Sequence, residues 1–364
     1  MMHAIHIISY NIIRLHILRI VISASALMYA STSSALHSGE FIVFPTVNIE
    51  SRSSLNDFNQ KNTEPVADFF YANDYGNQRL LIEALAEPED DESELDLERL
   101  QYGWILSPET DIWIGRFHNP LGFWNTHFHH GSYLETSASR PAVMHFEDDN
   151  GILPMHISGL QINGPLDIEN GGFHYSIGVG AGPEIINNKL KAVKILDPGE
   201  GRHELGGTIR LTYQPNDDDM STQFGGVVAY TPIPGDSITT GDIKQTVISV
   251  YGVWDINSIH NLGSIFHIIN KFDNSDDDSF TTAYIQSEYT WHPDWTTYGR
   301  IETSSDVNND TYLSLFPQSI TQRQLVGIRH ELKKSQALKL EISSAHTHNE
   351  NYDELHIQWS AAIQ

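Results

Sequence analysis

The stretch that decides the fold lies near the C-terminal end: Leu355-His356-Ile357-Gln358-Trp359-Ser360-Ala361-Ala362-Ile363. Its odd-numbered residues are all apolar, and His356, Gln358 and Ser360 fall between them. A period of two sends successive side chains to opposite faces of an extended chain. The segment therefore reads as a β-strand with one apolar and one polar face.

Working outward, the same alternation returns along most of the chain. Leu338, Leu340 and Ile342 alternate with Lys339, Glu341 and Ser343, and Ile209, Leu211 and Tyr213 alternate with Thr208, Arg210 and Thr212. The pattern predicts about 16 strands, near 41–51, 65–72, 78–87, 97–106, 111–117, 156–163, 172–181, 204–214, 221–231, 244–255, 259–271, 279–291, 296–303, 320–332, 337–345 and 353–363. Short connections such as 256–258 and 333–336 alternate with longer ones such as 52–64, 118–155, 182–203 and 304–319. Tight turns at one end and long loops at the other belong to a closed antiparallel transmembrane β-barrel. An even strand number brings both chain ends to the turn side. The apolar face, with Ile209, Leu211, Leu338, Leu340, Ile342, Leu355 and Ile357, is expected to meet lipid. Trp104, Trp254, Trp291, Trp295 and Trp359 fall near strand ends, where an aromatic girdle belongs.

Composition agrees. No stretch after residue 35 approaches the ~18 apolar residues of a membrane helix, a test blind to barrel strands, which are only half apolar. The chain has no cysteine, so no disulfide holds it together. Its net charge of −26 argues against a nucleic-acid partner, because phosphate binding needs a basic patch. Residues 1–35 read as a cleaved export signal: Arg14 and Arg19 with no acid, an apolar run Ile20–Ala30, then Ser33-Ser34-Ala35. Residues 36–364 then form one barrel domain.

Gly115-Arg116-Phe117-His118-Asn119-Pro120-Leu121-Gly122 is similar to the glycine–basic–Phe–x–x–Pro–Leu/Phe–Gly stretch that opens an inward-folded loop in phosphate-selective-type porins of Gram-negative outer membranes. The resemblance covers eight residues. It implies that the longest loop, 118–155, which follows the fifth predicted strand, folds inward as a constriction loop, and that the chain could assemble as a homotrimer. Two departures stand out. The loop is acidic and His-rich rather than Arg/Lys-rich, so anion selectivity does not carry over. The chain ends Ala361-Ala362-Ile363-Gln364, where that family ends on an aromatic residue.

The loop supplies the candidate chemistry. Glu135, Glu147, Asp148 and Asp149, with Arg116 and Arg140 at its base and within it, are expected at the constriction. There the carboxylates would admit cations and slow anions. Arg99, Arg210, Arg300 and Arg329 share the inward parity and form the expected pore wall. His127, His129, His130 and His145 could hold a divalent metal, since imidazole suits Zn, Cu or Ni, but no closed ligand motif such as HExxH is present. Unperturbed, these histidines would gain charge near pH ~6.5 and weaken cation preference below it. The runs Glu87–Glu94 and Asn274–Asp278 fall in predicted outer loops, where carboxylates could bind divalent ions that bridge lipopolysaccharide. No cofactor motif, P-loop or GxSxG elbow occurs, which points away from an enzyme.

The sequence thus predicts a porin-like channel for passive diffusion of small hydrophilic solutes, cation-preferring, among outer-membrane lipid and lipopolysaccharide. Two other readings stay open: a non-channel barrel such as a metal-acquisition receptor or adhesin, and a secreted soluble β-rich binding protein.

Overall fold

The computed structural model describes residues 39–54, 58–89, 92–128, 131–147, 150–167, 172–195, 201–215, 222–235, 241–273, 276–307 and 310–364. The proposed signal segment, His129, His130, Asp148 and Asp149 lie outside them.

The strands are β1 (Glu40–Ser54), β2 (Phe58–Tyr75), β3 (Gln78–Glu89), β4 (Glu92–Ser107), β5 (Thr110–His118), β6 (His156–Asp167), β7 (Gly172–Ala181), β8 (Glu184–Ile186), β9 (Lys189–Lys191), β10 (Leu205–Gln214), β11 (Gln223–Ile233), β12 (Ile243–Ile256), β13 (Ile259–Phe272), β14 (Asp278–His292), β15 (Trp295–Ser305), β16 (Ile320–Lys333), β17 (Gln336–Thr347) and β18 (Asn351–Ala361). All except β8 and β9 join into one closed barrel of sixteen strands, each hydrogen-bonded to its sequence neighbours, with β1 also paired to β18. The β8–β9 hairpin stands apart inside the loop between β7 and β10.

Closure is antiparallel and continuous. The β1–β18 register runs from Thr46 opposite Ser360 to Ser54 opposite Tyr352. It is carried on by Val43 and Ile363, whose backbones exchange both hydrogen bonds at 2.8 and 2.9 Å. Ile363 thus takes part in the seam at the end of the chain.

The faces are sorted in the reverse of a soluble protein. Along β17, Leu338, Leu340 and Ile342 are 40%, 41% and 56% exposed, whereas Lys339 and Glu341 between them are 0% and 2% exposed. Ile209, Leu211 and Leu355 are likewise exposed, and Thr208, Arg210, His356 and Gln358 are buried. A charge turned inward beside a leucine turned outward is stable only where the outside is hydrocarbon and the inside is polar. Trp254 lies beside the turn 257–258, and Trp291 stacks on Trp295 (centroids 5.9 Å apart) across the turn 293–294.

The connections differ from the expected strict alternation in two places. The expected loop 52–64 is largely absorbed by β1 and β2, which pair through Ser53 and Phe58, and 88–96 by β3 and β4, which pair through Glu89 and Glu92. Both hairpins extend beyond the length a membrane strand needs, because backbone pairing continues to stabilise a two-stranded ribbon after lipid ends. The charged run starting at Glu87 therefore sits on strand as well as loop.

This sorting predicts an asymmetry at adjacent positions of β6. Leu160 is 54% exposed on the outer face, and Gln161 lines an internal cavity. Leu160→Arg should lower unfolding stability in lipid by ~2–4 kcal/mol, and Gln161→Arg by much less. Urea unfolding in vesicles measures both, and equal losses would contradict the assigned faces.

Candidate functional site: the loop held in the barrel

The site is built by residues 119–155 against the inner wall. The loop opens at Gly115, whose backbone has φ +133°; a Cβ there would lie 1.8 Å from the Leu100 carbonyl oxygen. Only glycine allows β4 and β5 to approach this closely. The two ends of the loop are tied together. Asn119 donates from its backbone N to Met155 O (2.7 Å) and from Nδ2 to Pro154 O (2.9 Å), and Asn125 Nδ2 donates to Asn119 O (2.8 Å).

A short helix, α1 (Trp124–His127), follows. Leu121, Trp124, Met144, Leu153 and Met155 are fully buried and pack with Val247, Phe266, Phe280 and Tyr284 of the inner wall. Trp124 meets Tyr284 edge-on at 6.1 Å. Tyr312, from the loop between β15 and β16, joins this core and donates its hydroxyl to Ile152 O (2.7 Å). The wall formed by β11–β14 is therefore lined with apolar side chains inside as well as outside, and the loop covers the inner lining.

The opposite contact is polar. Arg300 on β15 donates to Ser139 O (2.9 Å), Arg140 O (3.0 Å), Ser137 Oγ (3.1 Å) and Gln286 Oε1 (2.8 Å), and pairs with Glu302 (2.8 Å). Arg323 on β16 shares Glu302 and also donates to Arg140 O. Arg329 donates to Tyr133 O (2.7 Å) and Glu135 O (2.6 Å), and Lys339 Nζ to Ser132 O (2.5 Å) and Ser137 O (3.0 Å). In return Glu341 accepts from Ala138 N (3.1 Å) and the Ser139 hydroxyl, and Glu302 from Ala142 N (2.7 Å). Loop carbonyls thus meet cationic side chains, and loop amides meet carboxylates. Hydrogen bonds to charged groups are worth ~1.5–3 kcal/mol each, more than neutral ones.

These contacts reassign the expected residues. Arg300 and Arg329 lie on the inner wall and bond to the loop. Arg99 pairs with Glu83, and Arg116 with Glu98 at 3.2 Å. Glu135 is buried: Trp124 Nε1 donates to it at 3.2 Å and Arg140 Nε lies 3.9 Å away. Burial pushes its carboxyl above the usual range, against the pull of Arg140 and Lys339. Glu147 is also buried, accepting from the backbone N of His156 and facing its Nδ1, both at 2.8 Å. His156 Nε2 lies 3.1 Å from Glu98, so the imidazole sits between two carboxylates at the base of the loop. Glu135 and Glu147 are therefore internal struts, because a buried carboxylate is stable only when bonded. Glu302, Arg323, Lys339 and Glu341 were not singled out from sequence as site residues. For Lys339 and Glu341 the signal that could have found them was their parity, as charges between the outward Leu338, Leu340 and Ile342.

The metal expectation gains no geometry. His127 stacks on Phe123 (4.0 Å), and its Nδ1 lies 2.9 Å from Phe123 O. Neither His127 nor His145 enters a cluster of three metal ligands among the described residues; the cluster found there is Glu50, Glu354 and His356. Burial, and then the charge of Arg210, lower His127 to about 4. His127 therefore does not supply the charge change expected near pH ~6.5.

No protein-family model and no curated protein matches the chain. Solved structures do. The anion-selective porin from Comamonas acidovorans superposes with a TM-score of 0.60 over 90% of this chain and 100% of its own, at 11% identity. This chain has the porin fold. The porin OmpF of Salmonella typhi gives 0.60 over 89% and 97% at 9% identity, and the outer-membrane channel DcaP of Acinetobacter baumannii 0.57 over 90% and 99% at 9%. At these identities the shared porin fold is a likeness of architecture.

Two outcomes follow for this porin barrel. Arg300→Ala should leave the barrel heat-modifiable but expose the loop near 131–142 to protease, while Ile301→Ala should not; equal resistance would contradict the anchoring. A depressed histidine favours the folded state above its unfolded pKa of ~6.5 and loses that contribution as pH falls toward about 4. Thermal stability should fall across that window, and His127→Phe should flatten the fall. An unchanged pH profile in the variant would remove His127 as its source.

Proposed function

We propose that this chain is a channel of the bacterial outer membrane through which small hydrophilic solutes diffuse passively, exported by removal of residues 1–35. The observation that carries the reading is the inversion on β17: inward Lys339 and Glu341, outward Leu338, Leu340 and Ile342. A closed sheet with that sorting crosses a bilayer and encloses a polar interior. A secreted soluble protein would need the opposite sorting. The polar cavity of about 320 Å³ beside the loop, lined by Gln101, Gln161, Asn163 and Ser176, supports solute passage along the β4–β10 side, away from the apolar core.

In this reading the cation preference rests on Asp148, Asp149 and the acidic outer runs, since Glu135 and Glu147 are engaged internally. Outer-membrane lipid and lipopolysaccharide are the surroundings this reading implies. Assembly as a homotrimer is part of the proposal, and one similar structure, OmpT of Vibrio cholerae, is described as a trimer form.

Planar-bilayer recording tests the function. Folded, detergent-extracted protein should insert in discrete ohmic steps. Folded protein that inserts without conductance would favour a receptor or adhesin. In a salt gradient, Asp148→Asn with Asp149→Asn should shift the reversal potential toward anions, and an unshifted potential would remove these two residues from selectivity.

A further inference from the structure

Arg210 differs from the other inward arginines. Arg99, Arg116, Arg300, Arg323 and Arg329 each have a carboxylate partner, and Arg210 on β10 has none among the described residues. Its hydrogen bonds go to neutral hydroxyls: Nε donates to Tyr251 Oη (2.8 Å) and Thr212 Oγ1 (3.1 Å), and Nη1 to Thr126 Oγ1 (2.7 Å), and its Cζ lies over the Tyr251 ring, 5.2 Å from the centroid. Nη2 donates to no described residue. The side chain is nonetheless 9% exposed. A buried guanidinium without a counter-charge is costly to maintain, and hydroxyls orient it without neutralising it.

The charge faces the cavity of about 320 Å³. Along the adjoining wall, beginning at Ser176, the register partner of Arg210 on β7, runs a ladder of polar groups: Gln101 Nε2 donates to Gln161 Oε1 (3.5 Å), Gln161 Nε2 to Ser176 Oγ (3.2 Å), Ser176 Oγ to Asn163 Oδ1 (2.6 Å), and Asn163 Nδ2 to Asp111 (2.9 Å). Among the described residues that line the cavity, the carboxylate is Glu109, in the turn 108–109.

We propose that this cavity is a binding subsite for a small monocarboxylate bearing hydroxyl groups, with the carboxylate on Arg210 and the hydroxyls on the amide ladder. One uncompensated cation matches one carboxylate. The forked guanidinium, with Nη2 free, suits two parallel hydrogen bonds. The ladder supplies donors and acceptors in alternation, as hydroxyls require. The cavity exceeds a monatomic anion. The proposal rests on the channel reading for the solute's route inward.

Calorimetry on the folded full-length protein in detergent tests it without depending on conduction. The probes are sodium gluconate, glucose and sodium chloride at fixed ionic strength. Gluconate should bind, and glucose, which lacks the carboxylate, should bind at least about tenfold more weakly. Arg210→Gln should weaken gluconate by about tenfold or more, and Arg210→Lys should keep part of the affinity. Equal binding of gluconate and glucose, an unaffected Gln variant, or chloride as tight as gluconate would overturn the proposal. Should Arg210→Gln fail to assemble, the wild-type comparison of the three probes decides alone. Absent gluconate binding with intact bilayer steps would sink this subsite only, and absence of both would sink the channel reading too.

Discussion

The constraint from which the rest follows is that hydrocarbon offers no hydrogen bonds. Each backbone amide that crosses it must find a partner in the chain, and a sheet meets that condition only by joining its first strand to its last. The β1–β18 seam does this from Val43 to Ser54, and so fixes the even strand count and the loop and turn ends. Outward side chains must then be apolar, and inward ones are left to whatever fills the interior.

What fills it here is the chain's own longest loop, and it is held by two kinds of force. On the β11–β14 side, Trp124, Met144 and Leu153 bury apolar surface against Phe266 and Phe280. On the β15–β18 side, the loop segment 131–141, which has no helix or strand, carries carbonyls and amides that turn to the wall. Arg300, Arg323, Arg329, Lys339, Glu302 and Glu341 satisfy them. Inward charges that would be expensive in a dry core are stable because each meets an opposite charge or a backbone dipole. Arg210 meets hydroxyls and the Tyr251 ring but no carboxylate among the described residues, which is why it stands out as a place for a solute.

The barrel was legible because its determinant is local. A two-residue period written in Leu338–Ser343 or Leu355–Ile363 reports the face of each side chain without knowledge of any partner. All sixteen barrel strands fall where that period places them. The β8–β9 hairpin was missed because three-residue strands carry too little alternation. The site was legible only in part, because parity tells that Arg300 points inward but not what it meets there. Whether Glu147 faces water or His156 depends on how the end of the loop turns back onto the start of β6, and no spacing encodes that turn. The glycine of the opening motif was visible as a resemblance, and its reason, the approach of the Leu100 carbonyl, came only with the pairing of β4 and β5.

The inverted sorting of faces is the central claim, and the absence of cysteine makes it directly measurable. Single cysteines placed in turn at 337 to 345 of β17 can carry a nitroxide, in protein reconstituted into lipid vesicles. Collision rates with oxygen, which concentrates in hydrocarbon, should be high at 338, 340 and 342 and low at 337, 339, 341 and 343, with a strict period of two. A water-soluble relaxant should leave 338, 340 and 342 untouched. Oxygen accessibility without that period, or the water-soluble reagent reaching Leu338, Leu340 and Ile342, would contradict a lipid-facing barrel and everything built on it.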